Sequence, residues 1–328
     1  MNILFLTKKE DEYQLHNCFT PEQLTAGRIA DYESVRESPQ SYTKTTHIFS
    51  TWGMPVLSET DIQQYFPQLK YVFYAAGSVQ YFARPFLARG VRIFSAWMAN
   101  AVPVAEFTAA QIILANKGFF QSHDRYAKQG FKASVDYTQS FGGNYGTKVG
   151  FLGGGMISRE TMKLLKSYDL DLYVSARFLT DEDAALLRVQ KTTTEWIFAN
   201  CQTVSNHLAN TEKTREVLNY ELFRTMLPNA TFINTGRGAQ VCAEDLVRAM
   251  KEQPARTALL DVTDPDEPLP DQHPYRSCPN IFISPHRAGS FGREVLRLGE
   301  YMFDEFQRIT DGKEPRYEVT LSMLKTMA

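Results

Sequence analysis

The segment 148–158 constrains the fold of this chain more than any other part of its sequence. It reads Lys-Val-Gly-Phe-Leu-Gly-Gly-Gly-Met-Ile-Ser, an apolar run that enters a glycine turn and continues into a helical pattern. Gly153 permits a tight turn, Gly155 lets main-chain N–H groups approach a pyrophosphate, and the helix N-terminus adds partial positive charge. Ser158 stands at the third position of the GxGxxG pattern, where Gly or Ala is usual. The segment predicts a dinucleotide-binding loop, against the alternative of an ordinary strand-to-helix turn. The predicted contacts are Gly153, Gly154, Gly155, Met156 and Ile157.

Short apolar runs alternate with helical patterns on both sides of this loop, as in βαβ units around a parallel sheet. Before the loop we predict strands over 3–6, 47–51, 71–75 and 91–94. From the loop onward we predict strands over 148–152, 170–174, 203–207, 230–234, 258–262 and 281–284. The fold class that follows is α/β, with two Rossmann-like, doubly wound parallel-sheet domains.

The 328 residues allow about two domains. The motif positions predict that a dinucleotide-binding domain, 99–288, is inserted into a substrate domain formed by 1–98 and 289–328. A long helical pattern over 102–128 would link the domains or form an oligomer face. A second helical pattern, over 294–309, predicts a helix that would fold back onto the substrate domain.

Composition argues against several classes of function. The 35 Lys and Arg residues against 37 Asp and Glu give a net charge of -2, so we expect no nucleic-acid partner and no anionic membrane partner. The four cysteines form no CxxC pair and have no His at metal-ligand spacing, which predicts no metal site and a reducing compartment. The first apolar run is short for a signal peptide, and no apolar run reaches membrane-spanning length. We therefore expect a cytoplasmic location.

The end of the strand after the glycine loop bears on the choice of cofactor. An Asp or Glu about 20 residues beyond the loop hydrogen-bonds the ribose 2′-hydroxyl of NAD. Here that position is Ala176, and no acid lies beside it. Ser175 can donate a hydrogen bond to a 2′-phosphate, and Arg177 offers it a charged guanidinium. We expect NADP, with NAD as the alternative if Arg177 is simply a solvated loop residue.

Three further segments place polar residues directly after predicted strands. They are Phe-Ile-Asn-Thr-Gly-Arg-Gly ending at Gly238, Leu-Asp-Val-Thr-Asp-Pro-Asp-Glu starting at Leu260, and Ile-Ser-Pro-His-Arg-Ala-Gly ending at Gly289. A doubly wound sheet binds its ligands at such C-terminal strand ends. Together with Val-Ala-Glu at 104–106 and Val-Ser-Asn-His-Leu at 204–208, these segments resemble the D-isomer-specific 2-hydroxyacid dehydrogenases. That family includes glyoxylate/hydroxypyruvate reductases and phosphoglycerate dehydrogenases, and the resemblance extends back to Trp-Gly-Met-Pro at 52–55.

The chemistry of such a reaction assigns roles to three residues. Hydride transfer to a keto carbon leaves an alkoxide, which a group that titrates near neutrality must protonate, and His286 is the candidate. Arg237 would bind the α-keto acid and polarise its carbonyl. A carboxylate would orient the imidazolium, and the resemblance matches Glu267 to this role. Because the loop after Asp261 is one residue longer than is usual in the family, Asp266 stays an alternative.

The resemblance also implies contacts that the residues alone do not. The substrate carboxylate would rest on the main chain of Ala76, Gly77 and Ser78, and Asp261 would hold the nicotinamide side of the cofactor. Further cofactor contacts are implied at His207, Thr235, Gly236, His286 and Gly289. A homodimer is implied as well, with the helix over 102–128 in its interface.

These observations predict an oxidoreductase that transfers a hydride between NAD(P)H and a 2-keto acid. Reduction of the 2-keto acid would give a D-2-hydroxy acid. The alternative is an NAD(P)-sensing binding protein, similar to the C-terminal-binding-protein corepressors, that dimerises with dinucleotide and turns over little. A methyltransferase built on a similar glycine loop would leave Arg237 and His286 without a role.

Overall fold

The computed structural model describes residues 2–265 and 268–325. Its strands, in chain order, are β1 (Ile3–Thr7), β2 (Arg28–Asp31), β3 (His47–Ser50), β4 (Tyr71–Tyr74), β5 (Arg92–Ser95), β6 (Tyr145–Leu152), β7 (Asp169–Ser175), β8 (Val189–Lys191), β9 (Thr203–Asn206), β10 (Thr231–Asn234), β11 (Thr257–Leu260), β12 (Ile281–Ile283) and β13 (Glu318–Val319). Its α-helices are α1 (Glu12–Cys18), α2 (Pro21–Leu24), α3 (Tyr32–Glu37), α4 (Glu59–Tyr65), α5 (Ala83–Ala88), α6 (Trp97–Asn116), α7 (Phe119–Gln129), α8 (Phe131–Thr138), α9 (Met156–Leu165), α10 (Asp181–Leu187), α11 (Thr194–Asn200), α12 (Tyr220–Phe223), α13 (Ala243–Glu252) and α14 (Val295–Thr310).

The chain divides into two compact units, each built around one sheet. The first unit runs to Asn100 and resumes at Ser290, and the second is Ala101–Gly289. The sheet of the first unit has the order β13-β5-β4-β3-β1-β2, and that of the second has the order β12-β11-β10-β9-β6-β7-β8. All paired strands are parallel except β13 with β5. The predicted fold class, two doubly wound parallel α/β sheets, is confirmed.

The strands that sequence analysis missed all lie at sheet edges. They are β2, β8 and β13, with the sequences Arg-Ile-Ala-Asp, Val-Gln-Lys and Glu-Val. An edge strand is covered on fewer sides, so it needs no continuous apolar run, and the runs that predict buried strands are absent from these segments.

The predicted single helix over 102–128 is wrong, because the structure breaks it into α6 and α7. Gly118 lies between them with φ +64°, a left-handed conformation that glycine adopts without steric cost. A Cβ at this position would also lie 2.7 Å from the Phe141 ring. By length and composition alone α6 could span a membrane, with a mean hydropathy of 1.3, but the core helix of a folded domain passes the same test.

A row of phenylalanines organises the core of the first unit. Phe5, Phe49, Phe73 and Phe94 stand opposite one another on β1, β3, β4 and β5. Successive ring centroids are 5.3, 4.8 and 5.1 Å apart, and all four rings are fully buried. Phe303 of α14 covers the row, with its ring 4.8 Å from that of Phe49. Each such pair adds about 0.5–1.5 kcal/mol beyond its buried area, so the row fixes the strand from which the loop at 76–78 leaves.

The strands at the centre of the second sheet are buried on both faces. Every residue of β9, β10 and β11 is buried, including the polar Thr203, Ser205 and Asn206 of β9, as is typical of central strands in a parallel sheet. Gly150 on β6 allows α11 to pack closely, since a Cβ there would lie 2.2 Å from Cγ2 of Ile197. This rigid sheet carries the residues predicted to do chemistry.

Candidate active site

The carboxyl ends of five neighbouring strands in the second unit lie side by side. The last residues pair in register across the sheet: Leu152 with Asn206, Asn206 with Asn234, and Leu260 with both Asn234 and Ile283. The predicted site segments after these five strands therefore all start at the same edge of the sheet. Between β6 and β9 the chain order reverses direction across the sheet, and such a switch point is where doubly wound sheets bind ligands.

The glycine loop after β6 is shaped by close contacts on one side and is open on the other. Gly153 has φ +97°, and a Cβ there would lie 2.4 Å from the carbonyl oxygen of His207. A Cβ at Gly154 would lie 2.8 Å from that of Ala176. Gly155 is exposed, with no atom near its Cβ position, and it is followed directly by Met156, the first residue of α9. The open face at the start of this helix fits an anionic pyrophosphate.

Ser158, the departure from the glycine pattern, is accommodated without strain. Its side chain is fully buried, and its hydroxyl donates to the carbonyl oxygen of Gly155 at 3.0 Å. The next residue, Arg159, also supports the loop, because its Nε donates to the carbonyl oxygen of Gly154 at 2.9 Å. Its Nη2 lies 2.8 Å from Oδ2 of Asp183. This contact could not be predicted from the sequence, since the two residues meet only in the fold.

The end of β7 carries positive charge and no carboxylate. Arg177 is exposed, with its guanidinium 5.6 Å from the ring centroid of Phe178. Ser175 shares a hydrogen bond of 2.9 Å with the hydroxyl of Thr194. Two of the three acids of the following helix are paired, Asp183 with Arg159, and Asp181 with Lys191 at 2.7 Å. Those hydrogen bonds lower the pKa of both carboxyls.

His207, after β9, has a buried ring. The ring stacks on Phe151, with the centroids 5.9 Å apart, and its Nε2 lies 2.8 Å from Oγ of Ser205. Its Nδ1 is buried without a hydrogen-bond partner among the residues that the structure describes. Burial lowers the pKa of His207 to about 3, so the ring is neutral at physiological pH. Its main chain, which contacts Gly153, is the part that lies at the loop.

The turn that carries Arg237 is held by a buried network of amides. Asn234 donates through Nδ2 to the carbonyl oxygen of Arg237 at 3.1 Å and accepts from the N–H of Gly236 at 3.1 Å. Asn206 donates to Oδ1 of Asn234 at 3.0 Å and to Oε1 of Gln240 at 2.6 Å. The three amide side chains are essentially inaccessible to solvent. This network was not predicted from the sequence. Asn206 and Asn234 each end a buried strand, and a polar residue at such a position is a usable signal of a buried hydrogen bond.

Two further contacts fix the same turn. Thr235, a predicted cofactor contact, is buried, and its hydroxyl lies 3.1 Å from that of Thr108. Gly238 touches the loop after β11 so closely that a Cβ would lie 1.9 Å from the carbonyl carbon of Thr263. Arg237 itself is half-buried, and its Nη1 donates to the carbonyl oxygen of Gly236 at 2.7 Å.

Asp261 and His286 meet at the ends of β11 and β12. Both carboxylate oxygens of Asp261 accept hydrogen bonds from the segment 284–288, in which His286 has φ +52°. His286 is exposed, and Gly289 follows at the end of this unit. Glu267, the predicted partner of His286, and its alternative Asp266 lie outside the described residues.

The predicted substrate loop belongs to the first unit and follows β4. Ser95 donates through Oγ to the carbonyl oxygens of Ala76 at 2.9 Å and Gly77 at 2.5 Å, which fixes the loop. Ala76 is buried, whereas Gly77 and Ser78 are half-exposed. Within residues 2–265 and 268–325, the N–H groups of Gly77 and Ser78 donate to no acceptor. Two adjacent N–H donors of this kind can bind a carboxylate.

No group of three or more His, Cys, Asp or Glu side chains that could hold a metal ion occurs among the residues that the structure describes. The four cysteines are free thiols. Burial raises the pKa of Cys18 to about 11 and that of Cys201 to about 12.

Residues 109–288, more than half of the chain, match the family model described as D-isomer specific 2-hydroxyacid dehydrogenase, NAD binding domain. A glyoxylate reductase of Thermofilum pendens is 32% identical over 181 residues, which cover 55% of this chain and 53% of that protein. A glyoxylate/hydroxypyruvate reductase A of Yersinia enterocolitica is 29% identical over 167 residues, which cover 51% of this chain and 52% of that protein. The chain thus spans about half the length of these curated relatives.

A solved structure shows the same fold along nearly the whole chain. It is the NAD-complexed form of a D-isomer specific 2-hydroxyacid dehydrogenase from Lactobacillus delbrueckii ssp. bulgaricus. The TM-score is 0.79 at 15% identity, and the match covers 98% of this chain and 100% of that chain.

Proposed function

Because the chain belongs to the D-isomer specific 2-hydroxyacid dehydrogenase family, we propose that it is an oxidoreductase that transfers a hydride between NAD(P)H and a 2-keto acid. The product of the reduction is a D-2-hydroxy acid. The observation that carries this proposal is the placement of Arg237 and His286. They follow β10 and β12, on either side of β11, at the sheet edge where the glycine loop also lies.

We assign the chemistry to these two side chains. A bound reduced nicotinamide would supply the hydride that adds to the keto carbon. Arg237 binds the 2-keto acid and stabilises the negative charge that develops on its oxygen. His286 donates its imidazolium proton to that oxygen, and in the reverse direction the neutral imidazole accepts the proton from the hydroxyl. We assign the orientation of His286 to Glu267, with Asp266 as the alternative, and binding of the substrate carboxylate to the N–H groups of Gly77 and Ser78.

The cofactor contacts are proposed from the open face of the glycine loop. Gly153, Gly154 and Gly155 would cradle the pyrophosphate together with the first N–H groups of α9, from Met156 and Ile157. Thr235, Gly236, Gly289 and the main chain of His207 lie at or directly after the same strand ends, so they complete the proposed contact set.

NADP is the proposed cofactor in preference to NAD. The exposed guanidinium of Arg177 can pair with a 2′-phosphate, and Ser175 lies next to the same strand end. Two of the three acids in the first turn of α10, Asp183 and Asp181, are already paired with Arg159 and Lys191. Their charge therefore opposes a bound phosphate less than that of unpaired carboxylates would.

A homodimer is proposed from apolar side chains exposed in the second unit. The exposed large apolar side chains of α6, α7 and α8 are Leu114, Phe119, Tyr126, Phe131 and Val135. Phe131 is 71% exposed, and its ring lies 6.5 Å from that of Tyr126. Large apolar side chains exposed near one another on a surface are typical of a protein interface.

The proposed location is the cytoplasm. The four cysteines are free thiols, which agrees with a reducing compartment.

A substrate panel tests the proposed activity. We expect the purified protein to oxidise NADPH with at least one of glyoxylate, hydroxypyruvate, phenylpyruvate and further 2-keto acids. If NADPH binds and drives dimerisation while no 2-keto acid is turned over, the dinucleotide-sensing alternative replaces the proposal.

A further inference from the structure

We propose that Asp261 is the positioning residue of His286, because it holds the loop that carries the imidazole. This differs from the nicotinamide contact that resemblance implies for Asp261. The inference rests on the proposed function for its effect on turnover, whereas its effect on the loop is independent of any activity.

The hydrogen bonds to Asp261 cover the whole loop. Its Oδ1 accepts from Oγ of Ser284 at 2.6 Å and from the N–H of Arg287 at 2.8 Å. Its Oδ2 accepts from the N–H of Ala288 at 2.8 Å, and its main-chain oxygen accepts from the N–H of His286 at 3.1 Å. The one remaining member of the segment 284–288 is a proline, which has no N–H to donate. Asp261 thus binds every residue of the segment except the proline.

The loop needs this support because its backbone is strained at the catalytic position. His286 has φ +52°, in the left-handed region that residues with a Cβ seldom adopt. Such a conformation persists only where the surroundings fix it. Asp261 supplies these contacts from a site that is 1% exposed, where hydrogen bonds to a carboxylate are stronger than in water.

The acceptor capacity of the carboxylate is largely used by the loop. An ionised carboxylate has about four lone-pair sites, and the three side-chain bonds above occupy three of them. One site on Oδ2 is left for a ligand. The principal partner of Asp261 is therefore the His286 loop, and a contact with a cofactor amide is at most a second one.

Two substitutions test the inference, and a third is the control. Asp261→Asn keeps the shape of the side chain but replaces one acceptor oxygen with an NH2 group, which would face N–H or O–H donors. Ser284→Ala removes one donor to the same carboxylate and is the milder change if Asp261→Asn fails to fold. Asp245→Asn makes the same chemical change remote from the site, where Oδ2 of Asp245 accepts from the N–H of Tyr220 at 3.0 Å.

Amide hydrogen exchange of the peptide 284–289 is the first readout. We expect exchange at Arg287 and Ala288 to be at least roughly tenfold faster in Asp261→Asn than in the wild type, since protection is lost with the acceptor. Asp245→Asn should leave the peptide unchanged. Equal protection in Asp261→Asn and the wild type would overturn the inference, whether or not the protein turns over a 2-keto acid.

The second readout separates positioning from cofactor binding. A misplaced His286 should lower kcat by on the order of 10²-fold in Asp261→Asn, and by about threefold to tenfold in Ser284→Ala, while the Kd for NADPH changes by less than about threefold in both. A raised Kd with an unchanged kcat would make Asp261 a cofactor ligand and refute the positioning role. Absence of turnover in the wild type would instead count against the proposed function, and the exchange experiment would still decide the inference.

Discussion

Substitution of Gly238 by Ala tests how tightly the Arg237 turn is fixed to its neighbour. An added Cβ would lie 1.9 Å from the carbonyl carbon and 2.0 Å from the carbonyl oxygen of Thr263, whereas ordinary contact begins near 3.4 Å. The two loops must therefore separate by about 1.5 Å, because both atoms belong to main chain and cannot rotate away.

The expected effects follow from that displacement. Overpacking of this kind costs about 1–3 kcal/mol of unfolding free energy. If Arg237 binds the substrate as proposed, a shift of about 1 Å in its position should lower kcat/KM by on the order of 10²-fold. Chemical denaturation measures the first effect, and steady-state oxidation of NADPH with a 2-keto acid measures the second.

Gly155→Ala is the matched comparison. No atom lies within 4 Å of its Cβ position, and its φ of -73° suits any residue. We expect its unfolding free energy to stay the same or rise by about 0.4–1 kcal/mol, while cofactor binding weakens because the methyl group occupies the open face. If Gly238→Ala is as stable and as active as the wild type, the close approach of these two loops is not part of the working protein.

The other predictions concern cofactor choice, catalysis, acid stability and assembly. Arg177→Ala should weaken NADPH binding selectively, by on the order of tenfold or more, and an equal loss for NADH would contradict the phosphate contact. His286→Ala should lose at least roughly 10²-fold in kcat while it still binds cofactor, and retained turnover would remove His286 from its role. Burial lowers the pKa of His47 from 6.5 to about 4; the unfolded chain then binds more protons, so stability should fall as the pH drops from 6.5 towards 4, and an unchanged slope in His47→Phe would count against this. Phe131→Asp should convert the proposed dimer to a monomer in sedimentation. Leu164→Asp should not, because Leu164, which is 44% exposed, lies on α9; a dimer in both variants would place the interface elsewhere.

The sequence was most informative where a segment is buried on both faces. The apolar runs of β4 and β11 and the glycine loop after β6 could be predicted, because burial and main-chain geometry dictate the residue types there. The short edge strands carry no such requirement, and they were missed. The break between α6 and α7 depends on the left-handed conformation of Gly118 and on the Phe141 ring beside it, which the helical pattern does not reveal.

The candidate site also contains residues that the sequence reveals and contacts that only the fold reveals. Arg237 and His286 could be singled out because each follows a predicted strand in a short motif. The contacts that hold them could not, since they join residues distant in sequence: Asn206 bonds to Asn234 and Gln240, and Asp261 bonds to the segment 284–288. Motifs thus single out the candidate reacting groups, whereas the fold is needed to find the residues that hold them in place.

The configuration of the product is the decisive test of the proposed D-2-hydroxyacid dehydrogenase activity. Phenylpyruvate or hydroxypyruvate is incubated with NADPH and the purified protein, and the hydroxy acid formed is resolved on a chiral column. We expect the D-2-hydroxy acid in an amount equal to the NADPH consumed, and at least roughly 10²-fold less of it from His286→Ala in the same time. Formation of the L-acid, or no hydroxy acid from any 2-keto acid by a folded protein that binds NADPH, would contradict it.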